Sequence, residues 1–410
     1  MDPAIKDALA WIDDQHRSLV ERLVAWSAIN SGSHNGAGLK AMGAEVTAAV
    51  RVLQADYQEI KTAPGRRVAS DGSLEPVAHG PVHLFSKRPR AKRRVLLTGH
   101  LDTVFAADHP FQEPKFLDEN TLNGPGAADM KGGLLVMLTA LRALEKSGLG
   151  ERLGYDVLVN SDEEIGSHGS APVLVEMAAK ADFGLTFEPA LADGTLAGAR
   201  KGSGNFTLVV RGRAAHAGRD FEHGRNAVTK LAAMIGELDE LNEKLDGVTL
   251  NAALIEGGSA INVVPDLAIC RFNVRVRDDQ GAAAVAGELE KLLARHRGRD
   301  GISCELHGGF SRPPKPLSAA NRRLFEILAG VGAELDLEIS WRPTGGCCDG
   351  NNLAAAGLPN IDSLGVRGGH IHSQREYALV DSLTERAKLS ALMLMKYAAG
   401  EFSLEDEEAS

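Results

Sequence analysis

The chain has 410 residues, with 45 Lys and Arg against 55 Asp and Glu, a net charge of −10. That balance argues against a nucleic-acid partner, and no stretch of about 18 apolar residues offers a membrane span. The length exceeds one ordinary core, so two domains are expected. The four cysteines, Cys270, Cys304, Cys347 and Cys348, form no CxxC pair. Free thiols in a reducing compartment fit that usage. The N-terminal Met-Asp-Pro-Ala-Ile-Lys lacks a basic region followed by an apolar core, so no secretory signal is expected. Residence in the cytoplasm follows as the expectation.

Asp2 and Pro3 are a good helix start, a capping side chain followed by Pro at the first helical position. Ile5, Leu9, Ile12, Leu19, Leu23 and Trp26 then mark one helical face. After a Gly/Ser/Asn loop, Leu39, Met42, Val46, Val50, Leu53 and Tyr57 mark a second helix. Residues 63–94 read as an edge hairpin around Val82 to Phe85, and the basic cluster from Lys87 to Arg94 as a solvated face.

Val95 to Thr98 is short, apolar and suited to a buried parallel strand. Gly99 lets the chain turn, which sets His100 and Asp102 just past the strand's carboxyl end, where open α/β sheets place ligands. Positions i and i+2 of extended backbone point the same way. Asp102 can therefore accept the second ring N–H of His100 and fix which nitrogen faces a metal. Alone, the same residues also suit a polar surface turn. Asp129 follows in a Gly-rich loop that opens a helix from about Leu134 to Lys146. The loop fits no phosphate-binding pattern and better suits holding a carboxylate rigidly. Strand Tyr155 to Asn160 ends in Asp162-Glu163-Glu164, three acids that repel unless a cation or protons intervene. A solvated acidic turn is the alternative there. Strand Phe183 to Phe187 delivers Glu188. Three strands thus bring His100/Asp102, Glu163/Glu164 and Glu188 to corresponding ends, and with Asp129 that convergence is what a metal site needs.

From Phe206 the pattern reads β-α-β-β-α-β, the split-βαβ, ferredoxin-like order. Its strands are Phe206 to Val210, Leu250 to Ile255, Leu267 to Val276 and Ile302 to Leu306. Its helices carry Val228, Leu231, Ile235 and Leu238, then Val285, Leu289 and Leu293. On the third strand Cys270, Phe272, Val274 and Val276 face the helices, while Arg271, Asn273, Arg275 and Arg277 line the open face. The module is inserted into the first domain. The chain returns after Arg312 with a helix through Leu324 to Val331, a strand from Ile339 to Trp341, a loop at Gly345 to Asn352 opening a short helix, and a Gly-rich loop bearing His370 and His372. Ser382 to Glu385 reads as a capping box for the last helix, and Leu404 to Ser410 as an acidic, disordered tail.

The ordered motifs are Gly-His100-Leu-Asp102-Thr-Val, Gly-Ala-Ala-Asp129-Met-Lys-Gly-Gly, Asp-Glu163-Glu164-Ile-Gly-Ser, Phe-Glu188-Pro, Arg-Ala-Ala-His216-Ala-Gly, Gly-Gly-Ser-Ala-Ile-Asn262-Val-Val-Pro, and His372-Ser373 before Glu376-Tyr377. With them the chain resembles the co-catalytic zinc exopeptidases and deacylases, a family that includes glutamate carboxypeptidase, acetylornithine deacetylase, succinyl-diaminopimelate desuccinylase and aminoacylase. It is most similar to the glutamate carboxypeptidase branch. The resemblance spans essentially the whole chain. It implies an α/β fold, a mixed-sheet catalytic domain of residues 1–200 and 313–410 with an inserted ferredoxin-like lid or dimerisation domain of residues 201–312. It implies two Zn²⁺, with Co²⁺ or Mn²⁺ able to replace them. Asp129 bridges the ions, His100 and Glu188 complete one, and Glu164 and His372 the other. His372 is favoured over His370 because Ser follows it. Asp102 stands behind His100, and Glu163 is the general base. Adjacent carboxylates point apart, so one can bind metal while the other handles protons.

The resemblance further implies a cis peptide at Asp129-Met130. His216 would stabilise the oxyanion, reaching into the partner's site of a homodimer, and Asn262 and Arg275 would hold the substrate carboxylate. Cys347 and Cys348 read as structural thiols. The expected activity is cleavage of a C-terminal glutamate-like residue from a peptide or N-acyl amino acid. A deacylase of the acetylornithine or aminoacylase kind is the alternative, and a non-catalytic amino-acid-binding protein on this fold the remote one.

Overall fold

The computed structural model describes residues 1–296, 298 and 300–404; of the tail expected to be disordered from Leu404 to Ser410, residues 405–410 lie outside them. A six-stranded mixed sheet runs in the order Asp56–Ile60, Val82–Lys87, Gly154–Asn160, Arg94–His100, Phe183–Thr186, Asn360–Ile361. The last four are mutually parallel, with His100 beside Asn160 and Thr98 beside Thr186. Their carboxyl ends therefore finish together, and the residues just beyond them meet. Helices Gly133–Lys146 and Ser382–Ala399 pack in the main core with Val95, Leu97, Tyr155 and Phe183. Apolar burial at about 25 cal/mol per Å² is what holds this layer.

Two glycines set how closely the site's backbone can approach. A Cβ on Gly133 would lie 2.0 Å from the carbonyl oxygen of Phe187, so only Gly lets that helix start against the strand that carries Glu188. Gly126 takes φ 71° at the entrance to the Asp129 loop, a conformation that costs other residues energy.

Residues 202–312 carry a second, four-stranded antiparallel sheet in the order Thr249–Gly257, Leu267–Val276, Gly202–Arg211, Ser303–Arg312. Helices Ala227–Asp239 and Asp279–His296 bury Leu231, Met234, Leu238, Val285 and Leu289 against Leu208, Cys270, Phe272 and Val274. The expected alternation on Leu267–Val276 is present: the even-numbered residues from 268 are buried, while Arg271, Asn273 and Arg275 are only partly covered. Both crossings to the larger sheet are pinned. Arg200 and Lys315 exchange backbone hydrogen bonds of 2.9 and 3.0 Å, and both cations turn to the buried Asp362, Arg200 bidentately at 2.5 and 2.8 Å and Lys315 at 3.5 Å.

Several local expectations fail. The second helix stops at Val50; Gln54 takes φ 51°, and Tyr57 lies in strand Asp56–Ile60, stacked 5.0 Å from Phe85. Val82–Lys87 is an inner strand, bonded on both sides, and the hairpin is instead Gly65–Val68 with Leu74–Val77. Within the basic cluster, Arg88 and Arg94 are partly buried against Glu145 and Asp156. The capping box at Ser382 does not form: its Oγ donates to the carbonyl of Leu379 at 2.5 Å and accepts the N–H of Arg367 at 2.9 Å. The first helical face is split at Gln15 into Pro3–Asp14 and His16–Ser27, although Asp2 caps as expected, accepting the N–H of Ala4 at 2.8 Å. The strand expected at Ile339 begins at Trp341.

Candidate active site

His100 is buried at the end of its strand. Its Nε2 lies 3.2 Å from Asp129 Oδ1 and 3.8 Å from Glu188 Oε1. On the other side of the same carboxylate, His372 Nε2 lies 3.2 Å from Asp129 Oδ2 and 3.1 Å from Glu164 Oε2. One carboxylate thus faces two imidazoles, one through each oxygen, and each imidazole has a glutamate of its own. His100, Glu163 and Glu188 form one set whose donor atoms lie within 4.8 Å of one another, and His100, Asp129 and Glu164 form another. His372 reaches in from a loop where both it and His370 take positive φ, 62° and 52°. His370 turns away, its ring 5.9 Å from that of Tyr377. The Asp129-Met130 peptide is cis, as the resemblance implies.

Backbone contacts hold the carboxylates. Glu376 Oε1 accepts the N–H groups of Ala128 and Asp129, both at 3.1 Å. Lys131, buried, donates Nζ to the carbonyls of Ile29 at 2.8 Å and Pro125 at 3.2 Å; it ties the loop rather than entering the site. Asp102 does more than was read from sequence, and does it differently. His100 Nδ1 is 2.9 Å from the carbonyl oxygen of Asp102 and 3.4 Å from its carboxylate. The carboxylate itself accepts the N–H groups of Glu163 and Glu164, each at 3.1 Å, and the Ser33 hydroxyl at 2.7 Å. Asp102 therefore shapes the turn that aims Glu163 and Glu164 in different directions.

The charges are those of a site short of positive charge. Burial pushes the Glu163 carboxyl up to about 7, against the pull of Arg312 and His100. Burial, then Asp129, pushes Glu164 up to about 8, and Glu188 lies well above the carboxylate range for the same first cause, aided by Glu163 and Asp129. Burial would raise Asp129 too, but His100 and His372 hold it well below its usual value. Hydrogen bonds to Asp129 and Glu164 hold His372 up at about 11. Protons kept in this way by buried carboxylates are what a bound cation displaces.

These residues open onto a cleft of about 700 Å³ that also reaches the inserted sheet, where Asn205, Asn273 and Arg275 line it, with Cys347 of the larger domain beside them. Arg275 Nε donates to Asn273 Oδ1 at 2.9 Å and Nη1 to Cys347 Sγ at 3.0 Å. Cys347 thus touches a cleft residue, while Cys348 is buried with its Sγ 3.0 Å from Asp362. His216 and Asn262 are brought together but not to the cleft. Ala217 N donates to the Asn262 carbonyl at 2.9 Å on a short ribbon, Ala215–His216 against Val263–Val264, and both residues are exposed. His168 lies beside His79, ring centroids 6.3 Å apart. Sequence reasoning assigned no role to Arg312, whose guanidinium meets Glu163 and Asp349 in the buried floor. The only signal was an arginine at a strand end before two prolines, which is weak.

Residues 96–396 match the sequence profile of Peptidase family M20/M25/M40. Carboxypeptidase G2 of Pseudomonas sp. (strain RS-16) is 29% identical over 317 residues, covering 76% of this chain and 75% of that one. A succinyl-diaminopimelate desuccinylase of Hahella chejuensis is 27% identical over 326 residues, covering 75% and 83%. Among solved structures, an M20 family metallo-carboxypeptidase from Sulfolobus solfataricus superposes with a TM-score of 0.71 at 18% identity, covering 93% of this chain and 99% of that one. The chain belongs to Peptidase family M20/M25/M40 and is a hydrolase.

Proposed function

We propose that the protein is a dizinc amidohydrolase that releases a C-terminal glutamate-like residue from peptides or N-acyl amino acids. The observation that carries the reading is the Asp129 carboxylate, with one oxygen toward His100 and Glu188 and the other toward His372 and Glu164. Two imidazoles and three carboxylates are a donor set suited to zinc, and Co²⁺ or Mn²⁺ would fit it as well. The buried, proton-retaining carboxylates support the same assignment. When bound, the ions supply Lewis acidity toward the amide carbonyl and make water more acidic.

The chain's own residues do the rest. Glu163, adjacent to Glu164 and held by Arg312, takes the proton of the attacking water and passes it to the leaving nitrogen. Arg275, with Asn262 brought up by closure or by a partner, holds the substrate carboxylate; a guanidinium fork matches that group. His216 serves the oxyanion. Residues 201–312 act as the lid and dimerisation domain between two catalytic segments, 1–200 and 313–410. A homodimer is supported by the exposed edge strand Thr249–Gly257, where Leu254 and Ile255 stand in solvent. Cytoplasmic residence is supported by Cys270, Cys347 and Cys348, thiols outside any disulfide; among the described residues no helix is long and apolar enough to cross a membrane.

The test is hydrolysis of a panel of N-acyl and peptidyl amino acids by protein carrying two equivalents of zinc, beside Glu163→Gln. Losing the base should lower kcat by roughly 10²–10⁴-fold with metal content intact. Glutamate derivatives at the head of the panel support the carboxypeptidase reading. Acetyl amino acids at its head move the chain to the deacylase branch, toward which the desuccinylase relatives already point. No turnover by the loaded wild type leaves a binding protein.

A further inference from the structure

We propose that Arg312 is a positioning residue that holds Glu163 in its working orientation and ties that orientation to the inserted sheet. The inference rests on the reading of Glu163 as the base. Arg312 is fully buried. Its Nη2 donates to Glu163 Oε1 at 2.6 Å, to the Glu163 carbonyl at 2.9 Å and to Ser167 Oγ at 2.9 Å. Its Nη1 donates to Asp349 Oδ1 at 2.7 Å and Asn352 Oδ1 at 2.8 Å. Five acceptors around two nitrogens leave that end of the fork committed to the protein. The guanidinium grips one carboxylate oxygen and the backbone of the same glutamate, so it fixes the side-chain torsions and leaves the second oxygen for proton transfer.

Asp349 is itself anchored, accepting Ser167 Oγ and Asn160 Nδ2, both at 2.6 Å. The clamp is therefore built on the strand that delivers Glu163 and on the helix Asp349–Ala355. The other end of Arg312 belongs elsewhere. It is the last residue of strand Ser303–Arg312, opposite Ser203, and the register of that pairing shifts immediately before it, since Gly204 stands opposite Phe310. The guanidinium thus lies under the larger sheet while its Cα ends the inserted one. A tilt of the inserted sheet is carried to Glu163 through this side chain.

The test is steady-state kinetics of the metal-replete full chain, on the best N-acyl or peptidyl substrate of the wild type, with Arg312→Gln, Arg312→Lys, Glu163→Gln and the Arg312→Gln/Glu163→Gln double variant. Arg312→Gln should lower kcat by roughly 10–100-fold with KM within about threefold and metal content unchanged. Arg312→Lys should recover part of kcat, since an ammonium reaches one acceptor group but cannot fork. The double variant should be no slower than Glu163→Gln alone, because a residue acting only through Glu163 has nothing left to position. Should Arg312→Gln not fold, Asn352→Ala removes one anchor without stranding a charge, and kcat should still fall about threefold or more at constant KM.

A raised KM at wild-type kcat would make Arg312 a substrate ligand and overturn the proposal. Additive losses in the double variant, equal failure of Lys and Gln, or wild-type kcat in Asn352→Ala would also overturn it. Wild-type kcat in Glu163→Gln would instead remove the base assignment beneath it.

Discussion

Asp102→Asn should weaken the metal centre without touching a proposed ligand. The substitution keeps the shape and replaces one carboxylate oxygen by NH₂. Both oxygens are in use: Oδ1 accepts the N–H of Glu163 at 3.1 Å, and Oδ2 accepts the N–H of Glu164 at 3.1 Å and the Ser33 hydroxyl at 2.7 Å. Whichever way the amide turns, a donor then faces a backbone donor in a site that excludes water. A buried unsatisfied group costs about 1–3 kcal/mol, and a charge-assisted bond becomes a neutral one, so the total is about 2–4 kcal/mol. The loss falls unevenly. In the metal-free protein one negative charge fewer beside Glu163 and Glu164 offsets part of it, so thermal stability should drop little. In the loaded protein nothing offsets it, because the turn must aim Glu164 at the metal. Affinity should fall roughly 10–100-fold, equivalent to about 1.4–2.8 kcal/mol. Competition with a chromophoric chelator reads the affinity, and thermal melts with and without metal read its partition. Wild-type affinity at both positions, or equal destabilisation of the two forms, would refute the reasoning.

Metal binding at pH 7 should release two or more protons, because His372 sits up at about 11 and Glu164 at about 8, and Glu188 and His100 also lie well above their ordinary values, while all four must be proton-free as ligands. Calorimetry in buffers of different ionisation enthalpy measures that number, and affinity should rise with pH through this range. The folded values of His372 and Glu164 are both raised, so the stability they give the metal-free protein is full below their ordinary values and is lost as pH rises through 8 toward 11. The loaded protein, whose ligands hold no protons, should not show that slope, and melts at pH 6 and 9 compare the two. Glu376→Ala should destabilise by about 2–4 kcal/mol, since the N–H groups of Ala128 and Asp129 both lose their acceptor. Glu376→Gln, which keeps a carbonyl oxygen there, should cost under about 1 kcal/mol by denaturant titration.

The catalytic sheet was legible because its strands are short apolar runs that stop at polar residues. His100, Glu163, Glu164 and Glu188 stand at strand ends on sequence grounds alone, and the structure brings each into a cluster whose donor atoms lie within 4.8 Å of one another. The split-βαβ order was legible from periodicity, down to which face of Leu267–Val276 carries Arg275. The failures have a common cause. Tyr57 continues a helical spacing, yet the left-handed turn at Gln54 ends the helix and tertiary stacking on Phe85 decides its strand. Ser382 and Glu385 have the spacing of a capping box, but the N–H of Arg367 claims the hydroxyl. Arg312, Asp349 and the carboxylate bonds of Asp102 are contacts between segments far apart in the chain, and no local pattern encodes a long-range partner. What sequence missed is less the reacting groups than the groups that aim them.

His216 and Asn262 pose the remaining geometric question, because their motifs are present while their ribbon stands away from the cleft that holds Glu163. Two arrangements would bring His216 to the reacting carbonyl: the inserted sheet closes over its own cleft, or a second copy presents its ribbon. Each ends in the same local chemistry, so single substitutions do not separate them. Mixed dimers do. His216→Ala and Glu163→Gln should each be nearly inactive alone. Combined in equal amounts and allowed to exchange, half the dimers carry one chain of each kind. If His216 acts across the interface, the cleft of the His216→Ala chain has its own Glu163 and receives an intact His216. Every mixed dimer then has one complete site of two, and activity returns to about a quarter of wild type. If His216 acts within its own chain, neither cleft of the mixed dimer is complete, and the mixture stays as inactive as its parts. Recovery of about a quarter, appearing at the rate of subunit exchange, would make the cleft a joint product of two chains. No recovery after exchange is verified by mass would leave closure of the inserted sheet as the step that completes it.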